Sequence, residues 1–393
     1  MKGTRRGFIK AGVAAAASVW TRLPLVHAGA QESVKTYRAC VIGHTGRGDY
    51  GHDLDLSFRK IPRVTVVAVA DPDEKGRRAA AARTGAARTY ADFREMLKQE
   101  KPDLVAVCPR WVESRVEMVT AAAEVGAHAF VEKPVARSLE DLDAMLAVSE
   151  KHKTKLAVAH PARLQPTFLH LKKLVGEGLI GDLMEVRTRG KEDRRAGGED
   201  LMVHGVHCFY LMRFFVGEPL WCSARITVQG RDATVEDRRE ASEPIGPVAG
   251  DCVRADYAFP GGVHGFFASQ KAGAPVTVRY QIALHGAKGV AVVHIGFTPA
   301  AFHLADPLWS PGKSGAAWQP LPDAPRPEAV GGAEGCMKLL VEDWLRSIET
   351  GAPSVVSGEE ARSTLEMVMA PYVSHLQGKR VTFPLRERKH PLG

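Results

Sequence analysis

The feature that most constrains this chain is a short apolar run that stops on a dense cluster of glycines. Residues 38–43 read Arg38-Ala39-Cys40-Val41-Ile42-Gly43, the pattern of a strand buried on both faces of a parallel sheet. The next segment is Gly43-His44-Thr45-Gly46-Arg47-Gly48-Asp49-Tyr50-Gly51. Its glycines allow a tight turn and let backbone N–H groups approach a pyrophosphate at the start of a helix, whose dipole favours the anion. The usual G-x-G-x-x-G spacing would use Gly43, position 45 and Gly48, but Thr45 holds the middle position and the extra glycine is displaced to Gly46. The turn by itself therefore does not decide the fold.

What surrounds it does. A second apolar run, residues 64–70, ends in Asp71, about 20 residues past the glycines, where a carboxylate would accept hydrogen bonds from ribose hydroxyls. An acid there favours NAD over NADP, whose 2′-phosphate would meet like charge, although Arg77 and Arg78 follow closely and keep NADP open. The other reading of Asp71 is a strand-terminal acid that caps the next helix. A third run, 103–109, precedes a helical stretch over 113–126, and a fourth, 128–131, ends in Glu132-Lys133-Pro134. Strand and helix alternating at this length predict βαβ units and a parallel sheet.

The first residues, Thr4-Arg5-Arg6-Gly7-Phe8-Ile9-Lys10, lead into an alanine-rich run over 11–20 and small residues at Ala28-Gly29-Ala30. They resemble a twin-arginine export signal, so residues 1–30 are expected to leave the mature protein in the periplasm or otherwise outside the cytoplasm. The run is well short of the roughly 20 residues of a membrane span. Those residues hold five bases and no acid, so their loss lowers the formal net charge from +8 to +3. The remaining arginine pairs are interleaved with acids, which argues against a nucleic-acid partner. Six cysteines are widely spaced with no C-x-x-C, so neither a zinc ribbon nor a redox pair is indicated, and no metal site is expected.

At Glu132-Lys133-Pro134 the sequence resembles the family of glucose-fructose oxidoreductase, inositol dehydrogenase and MocA. The likeness continues through Ala159-His160-Pro161-Ala162-Arg163-Leu164-Gln165-Pro166, Gly178-Leu179-Ile180-Gly181, Gly197-Gly198, Gly205-Val206-His207 and the stretch from Asp343-Trp344 to Ser374. It implies a Rossmann domain over 35–158 and an α+β domain over 159–393 with a large, mostly antiparallel open sheet. Residues 252–270 and 276–295, rich in β-branched and aromatic types and broken at Pro260-Gly261-Gly262, Gly286 and Gly289, agree with that. The resemblance also implies a nicotinamide cofactor, a sugar or polyol substrate and a homo-oligomer.

By the same resemblance Lys133 sits beside the nicotinamide, where its charge would stabilise a developing alkoxide. The family's Asp-x-Gly-x-His motif here reads Val203-His204-Gly205-Val206-His207, so the acid/base histidine is His207 while Val203 holds the place of the aspartate and Tyr210 that of a later one. Three substitutes are open: His204 or Asp200, Tyr210 as a proton donor, or a modified reaction. His207 is either the acid/base or a packed histidine. The family's P-N-x-x-H is replaced by Pro109-Arg110-Trp111-Val112-Glu113, with Trp111 either on the cofactor or in the core. His160 and Arg163 lie where relatives line the pocket, and Arg163 equally suits a structural ion pair. Gly43, Thr45, Gly46, Arg47, Gly48, Pro109 and Glu132 complete the expected cofactor contacts.

Export shapes the chemistry. An exported enzyme that released its nicotinamide each turnover would lose it, so the cofactor is expected to stay bound and be recycled. Either a second sugar takes the hydride, or it returns after a 3-keto step that supports glycoside cleavage. A non-catalytic sugar-binding relative is the reading from a different class.

Overall fold

The computed structural model describes residues 35–271, 279–296, 299–325 and 331–393. The export signal and residues 276–278 lie outside the described residues. From Thr36 to Gly393 the chain forms one compact unit.

The glycine-terminated strands assemble as their apolar runs require. Strands β1 (Tyr37–Ile42), β2 (Val64–Ala70), β3 (Arg88–Tyr90), β4 (Leu104–Val107), β5 (His128–Val131) and β6 (Leu156–Val158) form a parallel sheet in the order β3-β2-β1-β4-β5-β6. That order reverses between β1 and β4, which opens a crevice outside their carboxyl ends. Helices α1 (Glu74–Thr84), α2 (Phe93–Glu100), α3 (Arg115–Glu124) and α4 (Leu139–Lys151) connect the strands. Asp73, Asp92 and Ser138 cap α1, α2 and α4 by accepting from the amides of Gly76, Arg94 and Asp141.

One element departs from the sequence reading. No helix begins at the glycine turn; residues 45–53 run through turns into a single 3₁₀ turn, Leu54–Leu56. Asp49 and Asp53 take φ of 48° and 56°, left-handed values that no α-helix contains. The dipole expected to face a pyrophosphate is therefore absent here.

After α5 (Pro166–Gly176) comes the second sheet. Its strands are β7 (Leu183–Arg189) and β8 (Trp221–Val228), the two-residue β9 (Arg231–Asp232), β12 (Cys252–Ala258), β13 (His264–Gln270), β14 (Gln281–Gly286), β15 (Gly289–His294), β16 (Ala301–Leu304), β17 (Gln319–Pro320) and β18 (Val381–Thr382). The order is β17-β16-β15-β14-β7-β13-β12-β8-β18, with β9 paired to β8 and only β7–β13 parallel. A small ribbon of β10 (Arg239–Glu240) and β11 (Pro247–Val248) stands apart. Turns fall at Pro260–Gly262 and between Gly286 and Gly289, where the glycines and proline predicted them. Helices α6 (Gly198–Val203) and α7 (Gly205–Val216) precede β8.

The chain then returns to the first sheet. After the short α8 (Pro311–Ser314), α9 (Gly332–Thr350) packs Met337, Leu340, Val341 and Trp344 among Tyr37, Ala39, Val41, Phe130 and Ala157, and Trp344 stacks on Phe130 at 5.6 Å. Helix α10 (Gly358–Gln377) lies against β8, α7 and α4, and Tyr257 donates its hydroxyl to Met367 O at 2.6 Å. All six cysteines are free and all but Cys252 are buried, as small apolar side chains would be.

Truncating Trp344 tests the role of α9 in the first sheet's core. Trp344→Ala should lower unfolding stability in urea by about 3–5 kcal/mol, the cost of a large buried cavity. The half-exposed Trp318 should be replaceable by Ala within about 0.5 kcal/mol.

Candidate active site

The carboxyl end of β5 delivers Glu132 and Lys133 to a cavity of ≈ 250 Å³. The segment is pinned from below by Arg115, whose buried guanidinium donates to the carbonyls of Glu132, Pro134 and Pro109. This binds the ends of β4 and β5 together. Glu132 accepts from the ring and amide of His52 at 3.0 and 3.3 Å. Burial opposes its ionisation, but those bonds and the charges of His52 and Lys133 hold its carboxyl below the usual range. Burial pushes the Lys133 ammonium down to about 8, against Glu132 and Glu243 and with the help of Arg110 and Arg195. Among the described residues Lys133 Nζ donates to Val203 O at 3.5 Å.

Opposite stands a buried carboxylate–imidazole pair. Helix α6 ends and α7 begins at His204, which places its ring one turn beyond Asp200, and Nδ1 donates to Asp200 Oδ1. Asp200 is wholly buried and also accepts from Ser269 Oγ at 2.6 Å and from the amides of Lys191 and Glu192 at 3.2 and 3.1 Å. Gly190 makes room for it, since a Cβ there would fall 1.8 Å from Asp200 Oδ2. Because Nδ1 donates, the neutral ring has its lone pair on Nε2, and His204 lines the cavity. Burial lowers the His204 pKa despite Asp200, so the ring is a neutral base at pH 7.

His207 lines the same cavity but has no carboxylate partner among the described residues. Burial and then the charges of Lys133, His160 and His204 hold its pKa well below the ordinary value. His160 lies behind it, edge-on to His207 at 5.5 Å and stacked on Tyr210 at 4.9 Å, and burial pushes its pKa down to about 3. Three expectations are corrected, the first being that His160 lines the cavity, which it does not. Tyr210 is no proton donor to a substrate, because its buried hydroxyl donates to Val355 O. Arg163 does not reach the cavity; it pairs with Glu360, donates to Tyr210 O at 3.1 Å and lies over the Tyr210 ring.

The glycine turn folds onto itself. Thr45 N and Oγ1 donate to Asp71 at 2.9 and 2.8 Å, Tyr50 OH donates to the same oxygen at 2.9 Å, and Asp73 N donates to Oδ1. Asp71 thus neither caps α1 nor offers a free carboxylate; it is wholly buried as the anchor of the turn. The amides of Gly46, Arg47 and Asp49 are taken by Asp49 Oδ1 and His44 O. A second cavity of ≈ 230 Å³ lies at the ends of β1 to β3, walled by Gly43, His44, Asp71, Asp92, Arg94 and Trp111. Trp111 therefore faces the crevice, under Arg47 at 4.6 Å and edge-on to His44 at 5.0 Å. Pro109 contributes its carbonyl to Arg115 rather than to the crevice.

The two ends of the crevice fit a dinucleotide: a cavity beside the turn on one side of β4, and the Lys133 cavity on the other. In the latter Tyr280 OH and Gln165 Oε1 are buried without a hydrogen-bond partner, as groups awaiting a polar ligand are. Between them Arg110 N donates to Gly48 O at 3.3 Å, and a Cβ on Gly48 would lie 2.4 Å from that nitrogen. Arg110 in turn pairs with Glu243, which also holds Arg195. His52, Gln165, Lys191, Arg195 and Tyr280 are cavity residues that the sequence reading did not assign. Among the described residues no group of three or more His, Cys, Asp or Glu could hold a metal ion.

Tyr210→Phe separates the two roles considered for that side chain. It should cost about 1–2 kcal/mol in stability through the orphaned Val355 carbonyl and leave turnover within twofold, as read by urea unfolding and initial rates.

Residues 37–160 match a family model described as "Oxidoreductase family, NAD-binding Rossmann fold", and residues 168–292 match the GFO/IDH/MocA C-terminal domain, between them more than half the chain. The chain is 25% identical over 386 residues to D-apiose dehydrogenase of Paraburkholderia graminis, covering 91% of this chain and 93% of that one. It is 27% identical over 184 residues to myo-inositol 2-dehydrogenase of Thermotoga maritima, 45% of this chain and 55% of the other. Levoglucosan dehydrogenase in complex with NADH and L-sorbose superposes with a TM-score of 0.71 at 19% identity, over 89% of this chain and 100% of that one. The chain belongs to the Gfo/Idh/MocA family of oxidoreductases, with an NAD-binding Rossmann domain followed by a large, mostly antiparallel sheet.

Proposed function

We propose that this protein oxidises a secondary hydroxyl of a sugar or polyol, with the Asp200–His204 pair as the base and Lys133 as the group that holds the reacting oxygen. The observation that carries this is the Asp200–His204 hydrogen bond beside a cavity shared with Lys133. The sugar and polyol substrates named for relatives support the substrate class. When bound, the nicotinamide supplies the hydride acceptor. The chain's residues handle the proton and the charge. His204 Nε2 takes the hydroxyl proton, the imidazolium so formed is stabilised by Asp200, and the Lys133 ammonium stabilises the alkoxide as it develops. His207, lacking an orienting carboxylate, positions substrate.

The finer reading is an exported protein, carried folded by the twin-arginine route, that keeps and recycles its cofactor and works as a homo-oligomer. The arginine pair of the first residues supports export. The contact of Gly48 with Arg110, backed by Glu243, supports retention, because it bridges the crevice between the two cavities. Protein isolated from the periplasm and dialysed at length should still release stoichiometric nucleotide on denaturation; nucleotide-free protein would overturn retention.

Two measurements test the chemistry. Asp200→Asn should lower kcat about 10²- to 10⁴-fold while the protein remains folded by circular dichroism. For pH the sign follows from Lys133: its pKa, lowered to about 8, leaves it charged below that value and neutral above. kcat/KM should therefore be level through neutral pH and fall as pH rises through about 8, and Lys133→Met should abolish that limb.

A further inference from the structure

The charges lining the Lys133 cavity do not balance. Arg195 is neutralised by Asp193 at 2.6 Å and Glu243 at 2.7 Å, and Glu132, hydrogen-bonded to His52 at 3.0 Å, acts on its neighbour Lys133. Lys133 and Lys191 line the same cavity, and neither ammonium has an ion-pair partner among the described residues. Lys191 Nζ instead lies 5.8 Å from the Tyr280 ring centre. The Tyr280 side chain is 7% exposed and its hydroxyl has no partner. An incoming anion finds in Lys191 a cation with no ion-pair partner among the described residues and gains charge-assisted hydrogen bonds from it.

We propose that the substrate carries a carboxylate, a polyhydroxylated acid of the aldonate or uronate kind, whose anionic group is held between Lys191 and the Tyr280 hydroxyl. The inference rests on the reading of this cavity as the substrate site. Lys133 remains with the reacting oxygen. Gln165 adds an acceptor for a substrate hydroxyl: its Nε2 already donates to Gly296 O at 3.0 Å, which leaves buried Oε1 free. A neutral polyol would satisfy Gln165 and leave Lys191 uncompensated. Placement supports the division of labour, because Asp200 holds the Lys191 amide and the His204 ring together, fixing the anion site relative to the base.

The test is calorimetric titration of the NAD-loaded full chain at pH 7 with matched pairs: D-gluconate against D-glucitol, D-galactonate against galactitol, D-glucuronate against D-glucose. At least one acid should bind about tenfold or more tighter than its neutral partner, and the preference should shrink with added salt. Lys191→Met should lower the affinity for the acid by about tenfold or more and so remove that preference, and Lys191→Arg should restore it. If no acid outbinds its partner, or if Lys191→Met leaves the preference intact, the inference is overturned. Nicotinamide absorbance, followed in the same samples, separates the two readings. An acid that binds through Lys191 without changing the absorbance upholds the anion site and contradicts hydride transfer. An absorbance change with neutral partners alone does the reverse.

Discussion

The carboxylate of Asp200 is the interaction on which the active site depends. A wholly buried charge costs several kcal/mol unless its oxygens are satisfied, and here His204, Ser269 and the amides of Lys191 and Glu192 satisfy them. That requirement draws α6, β13 and the segment after β7 together around one side chain. It also explains Gly190, the residue whose missing side chain admits the carboxylate. Burial keeps His204 neutral, while Asp200 fixes which nitrogen faces the cavity, so one constraint supplies both the protonation state and the orientation of the base.

Much of this was legible in the sequence where a periodic apolar pattern met a turn signal. β4, most of β5 and the carboxyl-terminal halves of β1 and β2 are buried on both faces, so these runs read as near-continuous hydrophobic stretches that the sequence shows. Lys133 follows from the resemblance at Glu132-Lys133-Pro134, and its place just past the end of a parallel strand, at the crevice, agrees with it. Asp200 and His204 were both singled out, but as separate substitutes. Their pairing turned on α6 and α7 meeting at His204, and the Gly205 between histidines hides that continuity. The usual acid position, Val203, is apolar and buried; its backbone carbonyl faces Lys133 instead. The pair has therefore moved by about one helical turn with its spacing of four preserved.

The glycine turn was the least legible element. Composition promised flexibility, but flexibility alone does not say whether amides face outward to a phosphate or inward to a carboxylate. Left-handed Asp49 and Asp53 and the hydroxyls of Thr45 and Tyr50 decide it by closing the turn on Asp71. Lys191, Tyr280 and Glu243 were illegible for another reason. They come from two connections and the start of the interior strand β14, distant in sequence, and only the packed structure brings Lys191 and Tyr280 to one cavity, with Glu243 behind Arg195.

In the proposed reaction His204, and not His207, takes the substrate proton. Single-turnover hydride transfer in His204→Gln and His207→Gln, followed at the nicotinamide band with saturating substrate, tests this most directly. With His204 as the base, the loss should be at least about a hundredfold for His204→Gln and less than about tenfold for His207→Gln. The reverse order would contradict that role.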